Sequence, residues 1–479
     1  MARDIFKCGE TNVLVYIIVS LFGIGSWVAI NGLWVELPVI VPHLPEKWKL
    51  PSFLTVIIQL ANIGPIIVTI LNHVKPGKMP EKSIIYSLVF IGSASCLLLA
   101  FFWKRTSFIA GEEHSTALLI LQFFLALVDC TSSVVFLPFM AVFKEQYMTA
   151  YFIGEGMSGL VPSLVALGQG VGQMDCLNKS FVNSTTNDTT HQIVPVYYDP
   201  LFPVEDFFFF LFAMMLVCGL AFTLLNFLPY CKQEQVTNTE DEYSETSNSV
   251  SASYELDNHS PGEKDKGYSN AADAANSQTH LIRQNVRKRE SKNLEVNMAE
   301  VIHPEENKLS LSIYIYYLLL IAWINALSNG VLPSIQSYSC LPYGNEAYHL
   351  AVTFASITNP LACFAAFFIP VKSSVIITFL TFLGTGVASY ILVLAALSPE
   401  PFLLESLAGS ILVVAAWVLV TLFFTFSKVT IAAIFRTEGR KALLWCGAIT
   451  QLGSAIGAII TYVLVNVLEL FQSGPPCPS

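Results

Sequence analysis

The chain has 479 residues, of which 54% are hydrophobic and only 13% are charged, with a formal net charge of −10. A soluble globular domain carries about 25% charged residues, so this composition and the mean hydropathy of +0.58 exclude that class and predict a polytopic protein of the lipid bilayer. Because most ionisable residues lie in predicted loops, the negative charge gives no reason to expect a nucleic-acid partner.

Eleven apolar runs are long enough to cross a membrane. A hydrocarbon core of about 30 Å requires about 18 or more consecutive, mostly apolar residues. The first run is too polar for a cleaved signal peptide, so we count it as a span. We number the spans 1 to 11 in chain order, and they lie at 13–42, 51–73, 83–103, 115–143, 150–173, 206–230, 309–335, 347–369, 374–397, 405–435 and 442–468.

These runs predict an all-α fold of two pseudo-repeated bundles, with six and five helices. After the N-terminal residues 1–12, spans 1–6 form an N-terminal bundle at 13–230, and spans 7–11 form a C-terminal bundle at 309–468. Residues 231–308 between them are rich in Ser, Asn, Asp, Glu and Lys, cannot bury a core, and are expected to be a disordered cytosolic linker. Residues 469–479 form the C-terminus.

Two signals indicate the orientation. With the N-terminus in the cytosol, nineteen Lys and Arg residues lie in cytosolic segments and five in extracellular segments, as the positive-inside rule predicts. The loop 174–205 after span 5 carries three glycosylation sequons, at Asn178, Asn183 and Asn187, which point to the extracellular side. An odd number of spans then places the C-terminus outside.

Amides and a carboxylate lie inside spans 1 and 2. Span 1 contains Asn31, Trp34 and Glu36, although a carboxylate within a span costs about 2.5 kcal/mol or more. In span 2, Gln59 and Asn62 share one helix face, just before a Gly-Pro pair that loosens the helix. We expect the three amides to contact a solute and Glu36 to belong to an outer gate. The alternative is that each amide only bonds a neighbouring helix.

Three more charged residues lie within spans. Asp129 is at the middle of span 4, Glu155 lies between two glycines of span 5 that permit close approach of another backbone, and Lys428 is in span 10. Asp129 or Glu36 could relay protons and make transport sensitive to pH. The alternative is a structural ion pair or a gate contact, which we favour for Glu155 and Lys428.

Short motifs recur in the two bundles. Asn31-Gly32 in span 1 corresponds to Asn329-Gly330 in span 7, and Gly64-Pro65 in span 2 corresponds to Asn359-Pro360 in span 8. Two halves with proline-interrupted helices at matching positions are typical of secondary transporters whose site lies between the bundles. We therefore expect the amides of spans 1 and 7 to face each other across that site.

No motif predicts an enzyme. The sequence has no phosphate-binding glycine loop followed by Lys, no spaced Cys or His cluster and no nucleophile with a recognisable base. We expect no catalysis, no metal and no cofactor. The main hypothesis is a carrier for an uncharged polar solute. The alternatives are a carrier for nucleosides or another heterocycle, and a surface receptor whose transport is incidental.

Five segments closely resemble the animal riboflavin transporters: GSWVAINGLWVELP at 25–38, LPSFLTVIIQLANIGP at 50–65, FFLALVDCTSSVVFLPFM at 123–140, SNGVLPSIQSYSCLPYG at 328–344 and ALLWCGAITQLGSAIGA at 442–458. The resemblance implies a plasma-membrane carrier for riboflavin, in a fold similar to the major facilitator and equilibrative nucleoside carriers. Some members resemble docking receptors for a gammaretrovirus, which makes a retroviral envelope an alternative partner. We expect a monomer.

Riboflavin has a flat apolar ring with donors and acceptors on one edge and a hydroxylated ribityl tail, and it is uncharged near neutral pH. A site for it needs aromatic faces and neutral amides, and no fixed counter-charge. The predicted substrate-binding residues are Asn31, Trp34, Gln59, Asn62, Asn325, Asn329, Gln336 and Gln451.

Three cysteines are expected outside the membrane and free to oxidise: Cys176, Cys340 and Cys477. Cys176 with Cys340 would link the two halves, and Cys340 with Cys477 is the alternative. The resemblance implies a further cysteine after span 9, but this chain has Ser398-Pro399-Glu400-Pro401 there.

Overall fold

The eleven-span, all-helical membrane fold is confirmed. The computed structural model describes residues 7–8, 11–74, 80–109, 111–140, 142–144, 146–171, 174–182, 189–197, 199–235, 309–369, 371, 373–404, 406–438 and 440–474. Within these ranges, ten helices are long and apolar enough to cross a membrane, and a bent helix pair makes an eleventh span. The linker is predicted to be disordered. Its residues 236–308 lie outside the described ranges, so this stays a prediction.

The ends of the spans differ from the predicted runs by at most four residues, when the π-helical turn Val463–Val467 is counted as the end of span 11. Spans 1 and 2 each consist of two helices. In chain order the helices of the spans are Val13–Ile24 with Val28–Ile40, Leu50–Ala61 with Ile63–Val74, Glu81–Phe102, Thr116–Met140, Gln146–Gln169, Val204–Phe227, Leu311–Asn325 with Leu332–Ser334, Asn345–Phe368, Ser374–Ala396, Leu407–Thr437, and Arg440–Tyr462. Span 7 continues after a short break as the helix Gln336–Cys340, and the short helix Pro229–Gln233 follows span 6.

Three spans depart from the continuous helices that the sequence predicts. Span 1 bends by 54° between Ile24 and Val28. Span 7 contains a π-helical turn at Ala326–Val331, and span 11 ends in another at Val463–Val467. Such wide turns in an α-helix often occur at functional sites, and the one in span 7 holds the Asn-Gly motif that the repeat singled out.

Packing sorts the spans into the two predicted groups. In the N-terminal bundle, span 1 packs on spans 5 and 6, and span 3 packs on spans 4 and 6. In the C-terminal bundle, span 10 packs on spans 8 and 9, and span 11 on span 7. The bundles meet where span 8 contacts spans 1 and 5, and where span 2 contacts span 11. Large apolar side chains such as Phe90 and Phe382 are more than 70% exposed on the perimeter, as a lipid-facing surface requires.

Gly154, one of the two glycines beside Glu155 in span 5, permits the close backbone approach that the sequence predicts; the other, Gly156, lies against side chains of span 8. A Cβ atom placed on Gly154 would overlap the carbonyl oxygen of Ser20 in span 1, so no other residue fits without a backbone shift.

Loops that follow the odd-numbered spans meet at one end of the molecule. Ser115, before span 4, donates its N–H to Glu46 of the loop after span 1, at 2.8 Å. At the same end, Ser337 donates to the carbonyl of Trp48, and Ser398 donates to the carbonyl of Gln472. We call this the odd-loop end.

The described loops contain three antiparallel hairpins that an all-α prediction omits. Their strands are Lys7–Cys8 with Thr11–Asn12, Ser107–Ile109 with Glu112–His114, and Met174–Val182 with Thr189–Tyr197. The last hairpin lies in the loop with the three sequons. Asn178 is on its first strand, whereas Asn183 and Asn187 lie outside the described residues, so their glycosylation stays a prediction.

Candidate functional site

A cavity of about 230 Å³ lies between the two bundles. Span 1 and span 5 line one side, and spans 7, 8 and 10 line the other. Its walls are made by Asn31, Trp34, Gly159, Ser328, Asn329, Leu332, Pro333, Gln336, Val352, Ala355, Ser356, Asn359, Trp417, Val420, Thr421, Phe424, Thr425 and Lys428. None of these lining residues is acidic.

Span 1 contributes Asn31 and Trp34, which lie three residues apart on one face of the helix after the bend. The Asn31 Nδ2 donates to Ser158 Oγ of span 5 at 3.3 Å. Gly159 follows Ser158, and a Cβ atom there would lie 3.5 Å from the Asn31 amide nitrogen. Span 5 therefore orients the Asn31 amide at the cavity wall.

Span 7 contributes the π-turn residues Ser328 and Asn329. Asn329 Nδ2 donates to Asn325 Oδ1 at 3.1 Å and to Ser454 Oγ at 3.3 Å. Ser328 Oγ donates to Asn329 Oδ1 at 3.1 Å. Asn325 is buried and does not line the cavity, so it supports Asn329 from behind. Gln336, beyond the proline of this span, lines the cavity directly.

Span 10 contributes the longest wall, which the sequence analysis did not predict. Trp417, Val420, Thr421, Phe424, Thr425 and Lys428 recur at intervals of three and four residues along one face. Trp417 Nε1 donates to Ser339 Oγ at 3.2 Å, and Thr425 Oγ1 donates to Asn359 Oδ1 of span 8 at 2.8 Å. The periodic threonines and aromatic residues before Lys428 are the sequence signal that could have identified this face.

Three predicted binding residues form a separate contact. Asn62 Nδ2 donates to Gln59 Oε1 at 3.3 Å and to Gln451 Oε1 of span 11 at 3.1 Å. These amides join span 2 to span 11, and hence one bundle to the other. They do not line the cavity.

Asp129 lies at the bend of span 1 and is fully buried. Its Oδ2 accepts the N–H of Ile30 at 3.0 Å, and Ser132 Oγ donates to the carbonyl of Ser26 at 3.0 Å. The second helix of span 1 has no capping side chain of its own at Trp27. A carboxylate from span 4 therefore takes the place of an N-cap and satisfies one of the unpaired N–H groups at this helix start.

The other two acidic residues that the sequence analysis assigns to a gate or a proton relay lie outside the cavity lining. Glu36 is fully buried inside the N-terminal bundle near the odd-loop end, where its Oε1 accepts from Gln169 Nε2 at 2.9 Å. Gln169 also donates to the carbonyl of Phe202 at 3.1 Å. Glu155 is half-buried on span 5, one turn before Ser158. Among the described residues, no group of His, Cys, Asp and Glu could hold a metal ion.

The bundles are joined at the odd-loop end. Lys49 Nζ donates to Glu469 at 2.6 Å, and Asn466 Nδ2 donates to Ser52 Oγ at 2.7 Å. The Trp48 ring lies 5.8 Å from that of Tyr338. The Lys49 ammonium holds the pKa of the Glu469 carboxyl below its usual value of 4.5, through a hydrogen bond and charge attraction. Contacts between the bundles therefore close this end of the cavity.

Cys340 is a buried, free thiol next to these contacts. Its Sγ lies 3.5 Å from Ser339 Oγ. The side chain of Cys176 and all of Cys477 lie outside the described residues, so neither predicted pairing is tested.

The cavity combines aromatic rings, side-chain amides, hydroxyl groups and one ammonium group. Aromatic faces bind a flat apolar ring, and a few placed polar groups fix its orientation. This set of groups suits a planar, uncharged molecule with hydrogen-bonding edges.

Comparisons with known proteins point the same way. A family model described as solute carrier family 52, riboflavin transporter, matches residues 11–473. The chain is 45% identical to riboflavin transporter 2 of Salmo salar, over 97% of this chain and 98% of that protein. It is 40% identical to solute carrier family 52, riboflavin transporter, member 3, of Homo sapiens, over 97% of this chain and 98% of that protein.

Among solved structures, the fold resembles two transporters. One is a D-xylose-proton symporter, with a TM-score of 0.51 and 13% identity, covering 94% of this chain and 88% of that one. The other is the peptide transporter POT, with a TM-score of 0.51 and 13% identity, covering 95% of this chain and 89% of that one. At this identity the likeness concerns the fold alone, and it confirms the expected similarity to two-bundle carriers.

Proposed function

Because the chain belongs to the solute carrier 52 family of riboflavin transporters, we propose that it carries riboflavin across the plasma membrane by alternating access. The cavity between the bundles is the proposed binding site. The observation that carries this assignment is that one cavity brings Asn31 and Trp34 of the first bundle opposite Asn329 and Gln336 of the second.

The chemistry of the cavity matches riboflavin. Trp34, Trp417 and Phe424 supply aromatic faces for the ring system. The amides of Asn31 and Asn329, with the hydroxyl groups of spans 8 and 10, supply partners for the ribityl hydroxyls and the ring edge. The cavity volume of about 230 Å³ is below the about 300–1,000 Å³ of typical ligand sites. The bundles must therefore separate to admit the ligand.

The odd-loop end is the proposed extracellular side. The distribution of Lys and Arg and the three sequons support this orientation. The N-terminus is then cytosolic and the C-terminus extracellular, and the contacts around Lys49 and Glu469 close the outer end of the site. Opening of these contacts, together with closure at the cytosolic end, would complete a transport cycle.

Uptake of labelled riboflavin into cells expressing the chain tests the function. We expect saturable uptake that flavins compete and nucleosides do not. Asn31→Ala and Asn329→Ala should each raise KM by about tenfold, as expected for losing a buried hydrogen-bond partner of the ligand. Asn226→Ala is the matched control, because Asn226 bonds only the Phe222 carbonyl of its own helix in the described structure.

Two results would contradict the proposal. Competition by nucleosides but not by flavins would assign the cavity to another heterocycle. Absence of saturable uptake, with the protein present at the cell surface, would favour a receptor role such as binding of a retroviral envelope.

A further inference from the structure

Lys428 is the one ionisable side chain among the described residues that line the cavity. We infer that its ammonium group binds the pyrimidinedione edge of the flavin ring and so selects heterocycles that carry this pair of carbonyl groups. The inference rests on the proposed function. It differs from the sequence-based expectation, in which Lys428 belongs to a gate or a structural ion pair.

The ammonium group has unused hydrogen-bonding capacity. Lys428 Nζ donates to Ser328 Oγ at 3.3 Å, which is longer than the usual 2.7–3.2 Å for an N–H···O bond. Among the described residues, no carboxylate lies within 4.0 Å of Nζ. An ammonium group has three donors, so two remain for a ligand.

An unpaired charge within a membrane span is costly to retain. A structural lysine would be expected to pair with a carboxylate or to extend into water. Lys428 instead reaches towards span 7, because its single described hydrogen bond is to Ser328, which also lines the cavity. Ser328 in turn donates to Asn329. This chain of bonds holds the ammonium at the cavity wall.

The neighbouring amide of Asn359 completes a complementary set of groups. The dione edge presents a carbonyl, an N–H and a second carbonyl in sequence. Asn359 lines the cavity, and its Oδ1 is held by Thr425, three residues before Lys428 on the same face of span 10. The Asn359 oxygen has a second lone pair for the ring N–H, and Lys428 can donate to a carbonyl oxygen.

The spacing along span 10 leaves room for the rest of the molecule. Phe424 is one turn from Lys428 and can support the ring face. Trp417 lies eleven residues from Lys428, which is about 16 Å at helical rise. The dione edge at Lys428 would then direct the remainder of the flavin towards Trp417 and Gln336.

The test compares Lys428→Met with Lys428→Arg in riboflavin uptake, each corrected for the amount of protein at the surface. We expect Lys428→Met to raise KM about tenfold or more, the effect of losing a charge-assisted hydrogen bond. Lys428→Arg, which keeps donors and charge, should lose less. Lumichrome has the dione but no ribityl tail. Its inhibition of riboflavin uptake should be weaker in Lys428→Met than in the unaltered protein, by a similar factor. A tricyclic analogue without the two carbonyl groups should compete equally against all three proteins.

Three outcomes would overturn the inference. A KM for Lys428→Met within about twofold of the unaltered protein would show that the ammonium does not bind the substrate. Equal weakening of all competitors would assign it a structural role. Stronger competition by flavin phosphate than by riboflavin, lost in Lys428→Met, would make it a phosphate site. Failure of the unaltered protein to take up riboflavin is a separate result, which contradicts the proposed function itself.

Discussion

A single carboxyl group from span 4 caps the second helix of span 1. The helix Val28–Ile40 begins in the middle of the membrane, where no water can satisfy its first N–H groups. Asp129 of span 4 accepts one of them, from Ile30. A polar residue that the sequence marks as costly therefore stabilises a helix start on another span.

We expect Asp129→Ala to destabilise the protein by about 1–3 kcal/mol, because it leaves the buried Ile30 N–H without an acceptor. Asp129→Asn should keep most of this stability, since its side-chain oxygen can still accept. Thermal unfolding of the purified protein in detergent measures both.

The same Asn variant separates the cap from a proton relay. A capping role leaves the shape of the pH profile of uptake unchanged, because the hydrogen bond to Ile30 persists. A flattened pH profile with normal surface expression would contradict a purely structural role and support the relay.

At the level of single residues, four of the predicted binding residues lie at the cavity, and their role in binding stays a prediction. Asn31, Trp34, Asn329 and Gln336 all line the cavity. Intramembrane amides, however, look alike in a sequence whether they meet a ligand or another helix. Asn62 of span 2 contacts Gln451 of span 11, and the two residues lie 389 positions apart in the chain. Periodicity within one span cannot reveal such a pairing.

At the scale of helices, small residues determine how closely spans 1 and 5 pack. Gly154 contacts the backbone of Ser20, whereas a Cβ atom added to Gly168 of the same helix would meet no neighbouring atom within 4 Å. Gly154 and Gly168 therefore provide a test position and a control position on the same span.

We expect Gly154→Ala to destabilise the protein by about 1–3 kcal/mol through overpacking, and to reduce the amount of folded protein at the surface. Gly168→Ala should be neutral or slightly stabilising, since alanine is the better helix former. Thermal unfolding and surface labelling measure the difference. Equal behaviour of the two variants would show that spans 1 and 5 are not in close backbone contact.

The ion pair at the odd-loop end responds to pH in a defined direction. The pKa of Glu469 is lowered by Lys49, so the ionised pair persists at neutral pH. It is lost as the pH falls through this lowered pKa, below the usual carboxyl value of 4.5. Strong acid, and not the neutral range, should therefore weaken this contact between the bundles.

We expect Lys49→Gln to favour opening of the odd-loop end modestly, by about twofold, because exposed ion pairs contribute little. A Ser52→Cys substitution reports on this opening, since Ser52 is fully buried under the contact with Asn466. The rate of its reaction with an impermeant maleimide should rise when Lys49→Gln is added. An unchanged rate would show that the ion pair does not hold the end closed.

Element boundaries were predictable, but the deformations of elements were not. The positions and lengths of the apolar runs predict all eleven spans. The helix that starts after the bend in span 1 is capped by a side chain from span 4, and the π-turn of span 7 lies against span 11. These features arise from tertiary contacts, which local patterns do not encode.

At the scale of the whole molecule, two bundles enclose a cavity that is closed at the odd-loop end. The pseudo-repeat predicted the arrangement, since both copies of the Asn-Gly motif contribute an amide to the cavity wall. The bundles also meet through Asn62 and Gln451, outside the cavity. Movement of one bundle against the other would have to break this amide contact or the contacts at the odd-loop end.

An experimental structure with bound riboflavin tests the central claim most directly. The flavin ring should lie within about 4 Å, the range of direct contact, of Trp34 on one bundle and of Asn329 on the other. Riboflavin bound at the amides of Gln59, Asn62 and Gln451 instead, with the cavity empty, would contradict the assignment of the site.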